Sequence, residues 1–146
     1  MAPSKPILLV DDSDDDVFFM QRALEAAAIC NPTFVAEDGL KALAYLSGAG
    51  QFSDRTAFPL PALMFLDLKM PGKKGLDVLA WLRQQEELRC VVVIILTSSQ
   101  EPTDLRQAYR LGANSYLVKP STTKRLAELV RAVKAYWLEF NLFDPI

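Results

Sequence analysis

Four short apolar runs in this chain end on residues that can do chemistry. Ile7-Leu8-Leu9-Val10 runs into Asp11-Asp12, Ala62 to Leu66 into Asp67, Val91 to Leu96 into Thr97, and Ser115 to Val118 into Lys119. Three carboxylates, a hydroxyl and an ammonium make a set with one chemical purpose. Clustered carboxylates repel one another unless a cation intervenes, and hard oxygen donors favour Mg²⁺, which keeps several waters and takes one or two carboxylates. An aspartate carboxylate can also attack phosphorus and become an aspartyl phosphate. Phosphoryl transfer asks a protein mostly for positioning and for neutralisation of the equatorial oxygens, and a metal, a lysine and a hydroxyl would supply both. The chain has no histidine. That excludes His-based zinc sites, Ser-His-Asp and Cys-His catalysis, and any phosphohistidine on this chain itself.

The elements that must hold these residues can be read from the same pattern. Short, wholly apolar runs stopped by turn chemistry are buried strands, not helices. The strands are expected at Ile7 to Val10, Thr33 to Ala36, Ala62 to Leu66, Val91 to Leu96 and Ser115 to Val118. Between them, apolar residues recur at helical spacing. Helices are expected from Asp14 to Ala28 with Ser13 or Asp14 as N-cap, from Leu40 to Leu46, from Leu76 to Leu88, from Pro102 to a stop at Gly112, and from Thr123 to Phe140. Strands buried on both faces require a parallel sheet covered by helices on each side. The fold class is therefore α/β, a doubly wound five-stranded sheet with the order 2-1-3-4-5, whose strand carboxyl ends share one crevice. The loop from Ser47 to Pro61 is longer than the usual connection and reads as a surface excursion.

At 146 residues, 51% of them hydrophobic, the chain has the size and composition of one globular domain. A single domain over 1–146 is expected, with a core at about 5–140, a short tail at 141–146 and no output domain. The net charge of −2 argues against a nucleic-acid surface. Cys30 and Cys90 lack metal or disulfide spacing and read as free thiols. The apolar run after Pro6 is too short for a signal peptide or a membrane span, so a cytoplasmic location is expected. Each residue taken singly has an ordinary reading: Asp67 in a turn, Thr97 closing a strand, Tyr116 as a strand aromatic, Lys73-Lys74 as solvated loop charge. Asp14, Asp15 and Asp16 read as a solvated first turn favoured by the helix dipole. An EF-hand fails because Val17 stands where glycine is required and Ala23 where the bidentate glutamate belongs.

Asp11-Asp12, Asp67 with Leu68-Lys69-Met70-Pro71-Gly72, Thr97-Ser98-Ser99, Tyr116 and Lys119-Pro120 occur in that order. Together they resemble the signature of bacterial two-component response-regulator receiver domains, the CheY-like family. The resemblance spans about Lys5 to Phe140, and the strand order above is the family's own. The loop before the third strand and the ending Tyr136-Trp137-Leu138-Glu139-Phe140-Asn141 resemble the Rcp type of regulator, which accompanies phytochrome-like kinases.

The resemblance implies that Asp67 accepts a phosphoryl group from the phosphohistidine of a sensor histidine kinase. It implies that Asp12 and Asp67, with the Lys69 backbone carbonyl, bind Mg²⁺, and that Asp11 acts through a bound water. Lys119 would pair with Asp67 and then with the phosphoryl group. Thr97 would take a phosphoryl oxygen, and Tyr116 would turn inward as Thr97 moves. A cis Lys119–Pro120 peptide is implied, as is a role for Lys69 and Ser99 in the lifetime of the phosphate. The implied protein is a signalling domain and not an enzyme, though it phosphorylates itself from small donors and loses the group again. Its readout would be the fourth helix, fifth strand and last helix, presented to a downstream protein. The rival reading is a receiver-like interaction module that is not phosphorylated, and the complete residue set counts against it. A haloacid-dehalogenase-type phosphatase needs an acid two residues past its aspartate, where Lys69 stands. An FMN binder's phosphate would be repelled by Asp11 to Asp16, and no P-loop occurs. Tyr136, Trp137, Leu138, Phe140, Leu142 and Phe143 exceed what one core-facing stripe requires, so a homodimer through the last helix is expected.

Overall fold

The three central strands fall where unbroken apolar runs demand burial on both faces, and the two edge strands, opening on Thr33 and Ser115, are only partly buried. In the computed structural model, which describes residues 5–144, β1 is Ile7–Val10, β2 Thr33–Ala36, β3 Leu63–Leu66, β4 Val92–Thr97 and β5 Ser115–Val118. All pairings are parallel and the order is β2-β1-β3-β4-β5. In-register pairing of Val10 with Leu66 brings the ends of β1 and β3 level, and pairing of Leu66 with Ile95 lets β4 run two residues further, to Thr97. Fully buried side chains such as Leu8, Leu63, Met64, Ile94 and Ile95 are each worth roughly 1.5–3 kcal/mol of transfer free energy.

The helices are α1 (Asp14–Ala26), α2 (Gly39–Ser47), α3 (Gly75–Gln84), α4 (Pro102–Arg110) and α5 (Thr123–Val133). Met20, Leu24, Val130 and Val133 put α1 and α5 on one face of the sheet. Ala42, Tyr45, Val78, Leu79, Leu82 and Ala108 put α2, α3 and α4 on the other. Side chains close three of the N-termini: Ser13 accepts from the Asp16 amide, Asp38 from the Lys41 amide and Thr122 from the Arg125 amide.

Several boundaries differ from the sequence reading, for local reasons. Helix α1 stops two residues early because Ala28 takes a left-handed conformation (φ 57°), letting the Ile29 amide reach back to the Leu24 carbonyl at 3.2 Å. Gln85 is extended and ends α3, and a short 3₁₀ turn, Glu86–Leu88, then delivers Leu88 to the core. The last helix changes character after Val133: Lys134–Phe140 widens to π-type turns, ending with the Asn141 amide on the Tyr136 carbonyl at 2.8 Å. The 47–61 loop is not a free excursion. Phe52 and Phe58 stack with Phe34 and Tyr45 at centroid distances of 5.1–6.1 Å, and Arg55 donates to the Tyr45 and Leu46 carbonyls at the end of α2.

Candidate functional site

Asp67 sits one residue past β3, its amide held on the Val10 carbonyl at 3.0 Å, and only 6% of it is exposed. Across the strand ends lie Asp11, partly buried, and Asp12, exposed. Carboxylate oxygens of Asp11, Asp12 and Asp67 all lie within 4.8 Å of one another. Three hard oxygen donors this close fit a small divalent cation, because without one their like charges repel.

Lys119, following β5, resolves part of that repulsion. Its Nζ lies 2.8 Å from Asp11 Oδ2, 3.0 Å from Asp67 Oδ2 and 2.7 Å from Asp16 Oδ2. Burial alone would lower the lysine pKa, but the hydrogen bonds to Asp11, Asp16 and Asp67 outweigh it and hold the ammonium well above its ordinary range. Asp11 is displaced upward, because burial penalises its charge more than Lys119 and the Ser13 amide compensate.

Thr97 ends β4, fully buried, and its hydroxyl oxygen accepts the Ser99 amide at 3.4 Å. The Tyr116 hydroxyl donates to the Ser99 carbonyl at 2.9 Å, which joins β5 to the loop after Thr97. The Lys69 amide donates to Asp67 Oδ1 at 3.3 Å, while the Lys69 side chain turns away to Asp104. Asp104 lies below the ordinary carboxylate range, chiefly through the Ser99 hydroxyl and then through Lys69. Gly75 is required beneath the site: a Cβ there would sit 2.2 Å from the Asp67 carbonyl oxygen and 2.9 Å from the Leu68 Cα.

The sequence-derived set thus converges: Asp11, Asp12, Asp67 and Lys119 meet directly, Thr97 closes the adjacent strand, and Tyr116 joins through Ser99. Two expectations need correcting. No peptide bond among the described residues is cis, so Lys119–Pro120 is trans, the form intrinsically favoured at X–Pro by roughly 0.5–1 kcal/mol. Asp16 does not merely decorate a solvated turn, since it supplies the third carboxylate on Lys119. With Ser13 as N-cap, Asp16 occupies the third helical position, from which an acid reaches back over the helix start. That spacing was the available signal.

The chain belongs to the response regulator receiver domain family, whose model matches residues 7–131. It is 36% identical over 137 residues to response regulator Rcp1 of Synechocystis sp., a match covering 94% of this chain and 91% of that protein. Among solved structures, the phosphorylated cyanobacterial phytochrome response regulator RcpA superposes with a TM-score of 0.89 at 29% identity, covering 96% of this chain and 98% of that one. The Mn²⁺-bound form of Rcp1 superposes with a TM-score of 0.87 at 35% identity, covering 96% and 99%. The protein is therefore a phosphorylation-dependent signalling domain of the two-component, CheY-like type, with an acidic pocket suited to a divalent metal. No helix among the described residues is long and apolar enough to cross a membrane.

Proposed function

We propose that Asp67 is the phosphoacceptor, and that its partner is a sensor histidine kinase of the phytochrome-like kind. One observation carries the first part: a buried strand-end carboxylate with two more carboxylates within 4.8 Å and an ammonium 3.0 Å away. An Asp67 oxygen attacks phosphorus, the phosphorus–nitrogen bond of the donor phosphohistidine breaks, and the imidazole takes the electron pair. Asp11, Asp12, Asp67 and the Lys69 backbone carbonyl would hold Mg²⁺, which supplies neutralisation of the phosphoryl oxygens when bound. Lys119 exchanges its contact with Asp67 for one with the incoming oxygens, and the Thr97 hydroxyl donates to another.

The new group adds about −1.5 to −2 units of charge. A near-complete swing between two conformations requires a difference of about 5.5 kcal/mol. Capture of Thr97 and Lys119 supplies part of it, and Tyr116, tied to Ser99, carries the movement to β5. The likeness to RcpA, a phytochrome response regulator, supports the choice of kinase, and the surface formed by α4, β5 and α5 is the reading face for a downstream protein in the cytoplasm. Incubation with acetyl phosphate and Mg²⁺ should add one phosphoryl mass to the protein. Asp67→Asn should remain unlabelled, and undiminished labelling of that variant would overturn the assignment.

A further inference from the structure

Asp104, in the first turn of α4, is used by nothing described so far, yet it binds side chains from both loops that border Asp67. Its Oδ2 accepts the Ser99 hydroxyl at 2.5 Å and pairs with Lys69 Nζ at 3.1 Å. Lys69 and Ser99 each lie two residues past a site residue, Asp67 and Thr97 respectively. The Ser99 hydroxyl is fixed on both sides, because its oxygen also accepts the Glu101 amide at 3.3 Å. Lys69 is different: its side chain is 65% exposed, against 15% for Asp104, and only this carboxylate holds it among the described residues.

We propose that Asp104 is a positioning residue that keeps the Lys69 ammonium off the phosphoryl group on Asp67. This rests on Asp67 being the acceptor. The Lys69 amide already touches Asp67 Oδ1, so a flexible four-carbon stem starting there reaches any group added to that carboxylate. An exposed ion pair is weakly held, and a phosphoryl dianion competes with Asp104 for the same cation. Removing the Asp104 charge gives the cation to the phosphoryl group. Hydrolysis requires a water oxygen to bond to phosphorus in line as the bond to the Asp67 oxygen breaks. The electron pair returns to the carboxylate; of the water's two protons, one stays on the phosphate and the other passes to solvent. An ammonium lodged on the outer phosphoryl oxygens occupies the water's approach, so hydrolysis slows.

The test is decay of the acetyl-phosphate-labelled, Mg²⁺-loaded protein after donor removal, followed by intact mass. Asp104→Asn keeps the shape and a partner for Ser99, and should lengthen the lifetime by roughly threefold or more, the scale of coupling between contacting side chains. Asp104→Glu, which restores the charge, should return it toward wild type. In a Lys69→Met background, Asp104→Asn should change nothing, a coupling that a merely structural role does not produce. An unchanged or shortened lifetime in Asp104→Asn, or equal lengthening with and without Lys69, overturns the proposal while leaving Asp67 as acceptor. A wild-type protein that takes up no label overturns both.

Discussion

Lys119 is the most heavily engaged side chain of the site, and it yields the sharpest single-residue expectation. Its three N–H groups meet three carboxylates, at 2.7–3.0 Å. Lys119→Met keeps the aliphatic stem but leaves Asp11, Asp16 and Asp67 facing one another without a cation. Hydrogen bonds to charged groups are worth about 1.5–3 kcal/mol, so urea denaturation without Mg²⁺ at neutral pH should show a loss of about 2 kcal/mol. Added Mg²⁺ should stabilise this variant more than wild type. The pH dependence has a definite sign. The folded pKa lies above the ordinary 10.5, so the lysine's contribution is complete below that value and is lost as pH rises through the folded one. The gap between wild type and variant should therefore hold from neutrality to that point and close beyond it. At this scale, the residues legible in the sequence were those fixed by strand ends: Asp67, Thr97 and Lys119 follow from where apolar runs stop. Asp16 did not follow. Each helical position turns the side chain by about 100°, so the choice between Ser13 and Asp14 as cap decides which first-turn acid faces the site. Asp104 escaped for a similar reason, because an acid in a first turn has a sufficient explanation in the helix dipole.

Elements were legible in kind and less so at their ends. Periodicity fixes which segments are helices, whereas their ends depend on one or two residues, and α1 shows why. Ala28 and Ile29 close it with the backbone pattern usually built around glycine, Ala28 N–H to Glu25 O at 2.9 Å and Ile29 N–H to Leu24 O at 3.2 Å. With alanine in the glycine position, nothing in the residue type announced a stop. The substitution Ala28→Gly relieves a left-handed conformation that costs an L-residue about 1–2 kcal/mol, against a glycine entropy cost of about 0.5–1 kcal/mol. A net gain of about 0.5 kcal/mol is expected from the two, read as a higher urea midpoint at unchanged slope. Loss of stability would show that Ala28 is not strained. The 47–61 loop teaches the complementary lesson. Its small residues and prolines read as surface, but Phe52, Phe58 and Arg55 were the sequence signal that it returns to the core. The Tyr45 hydroxyl, donating to the Pro59 carbonyl at 2.7 Å, fastens that return, and burial pushes its pKa up to about 12.

For the whole molecule, the two faces of the sheet are sealed by helices, but the chain's last described stretch is not. Trp137, Leu138 and Phe143 pack on the α1–α5 core, whereas Phe140 is 79% exposed and Leu142 is 92% exposed. Lys134 anchors the π-type segment to the C-cap of α1 through the Ala27 carbonyl at 2.7 Å, so these side chains extend from a fixed base. Leu117, Val118, Leu129, Val133 and Tyr136, with the charged Lys119, Arg125 and Glu128, line a groove between α5 and β5, one of the sheet's two edge strands. Exposed apolar side chains of this kind are what a two-fold contact between identical chains uses, each copy offering the same patch to the other. Sedimentation equilibrium across a wide concentration range should show a dimer that Phe140→Asp with Leu142→Asp dissociates. Both side chains stand in solvent in the single chain, so each substitution should leave monomer stability within about 0.5 kcal/mol of wild type. That separates loss of an interface from loss of a fold. The same measurement after acetyl phosphate treatment asks whether phosphorylation shifts the equilibrium, since β5 and α5 line this groove and also form part of the proposed reading face. A monomeric mass at high concentration, with and without phosphorylation, would remove the dimer and leave the patch to a different protein.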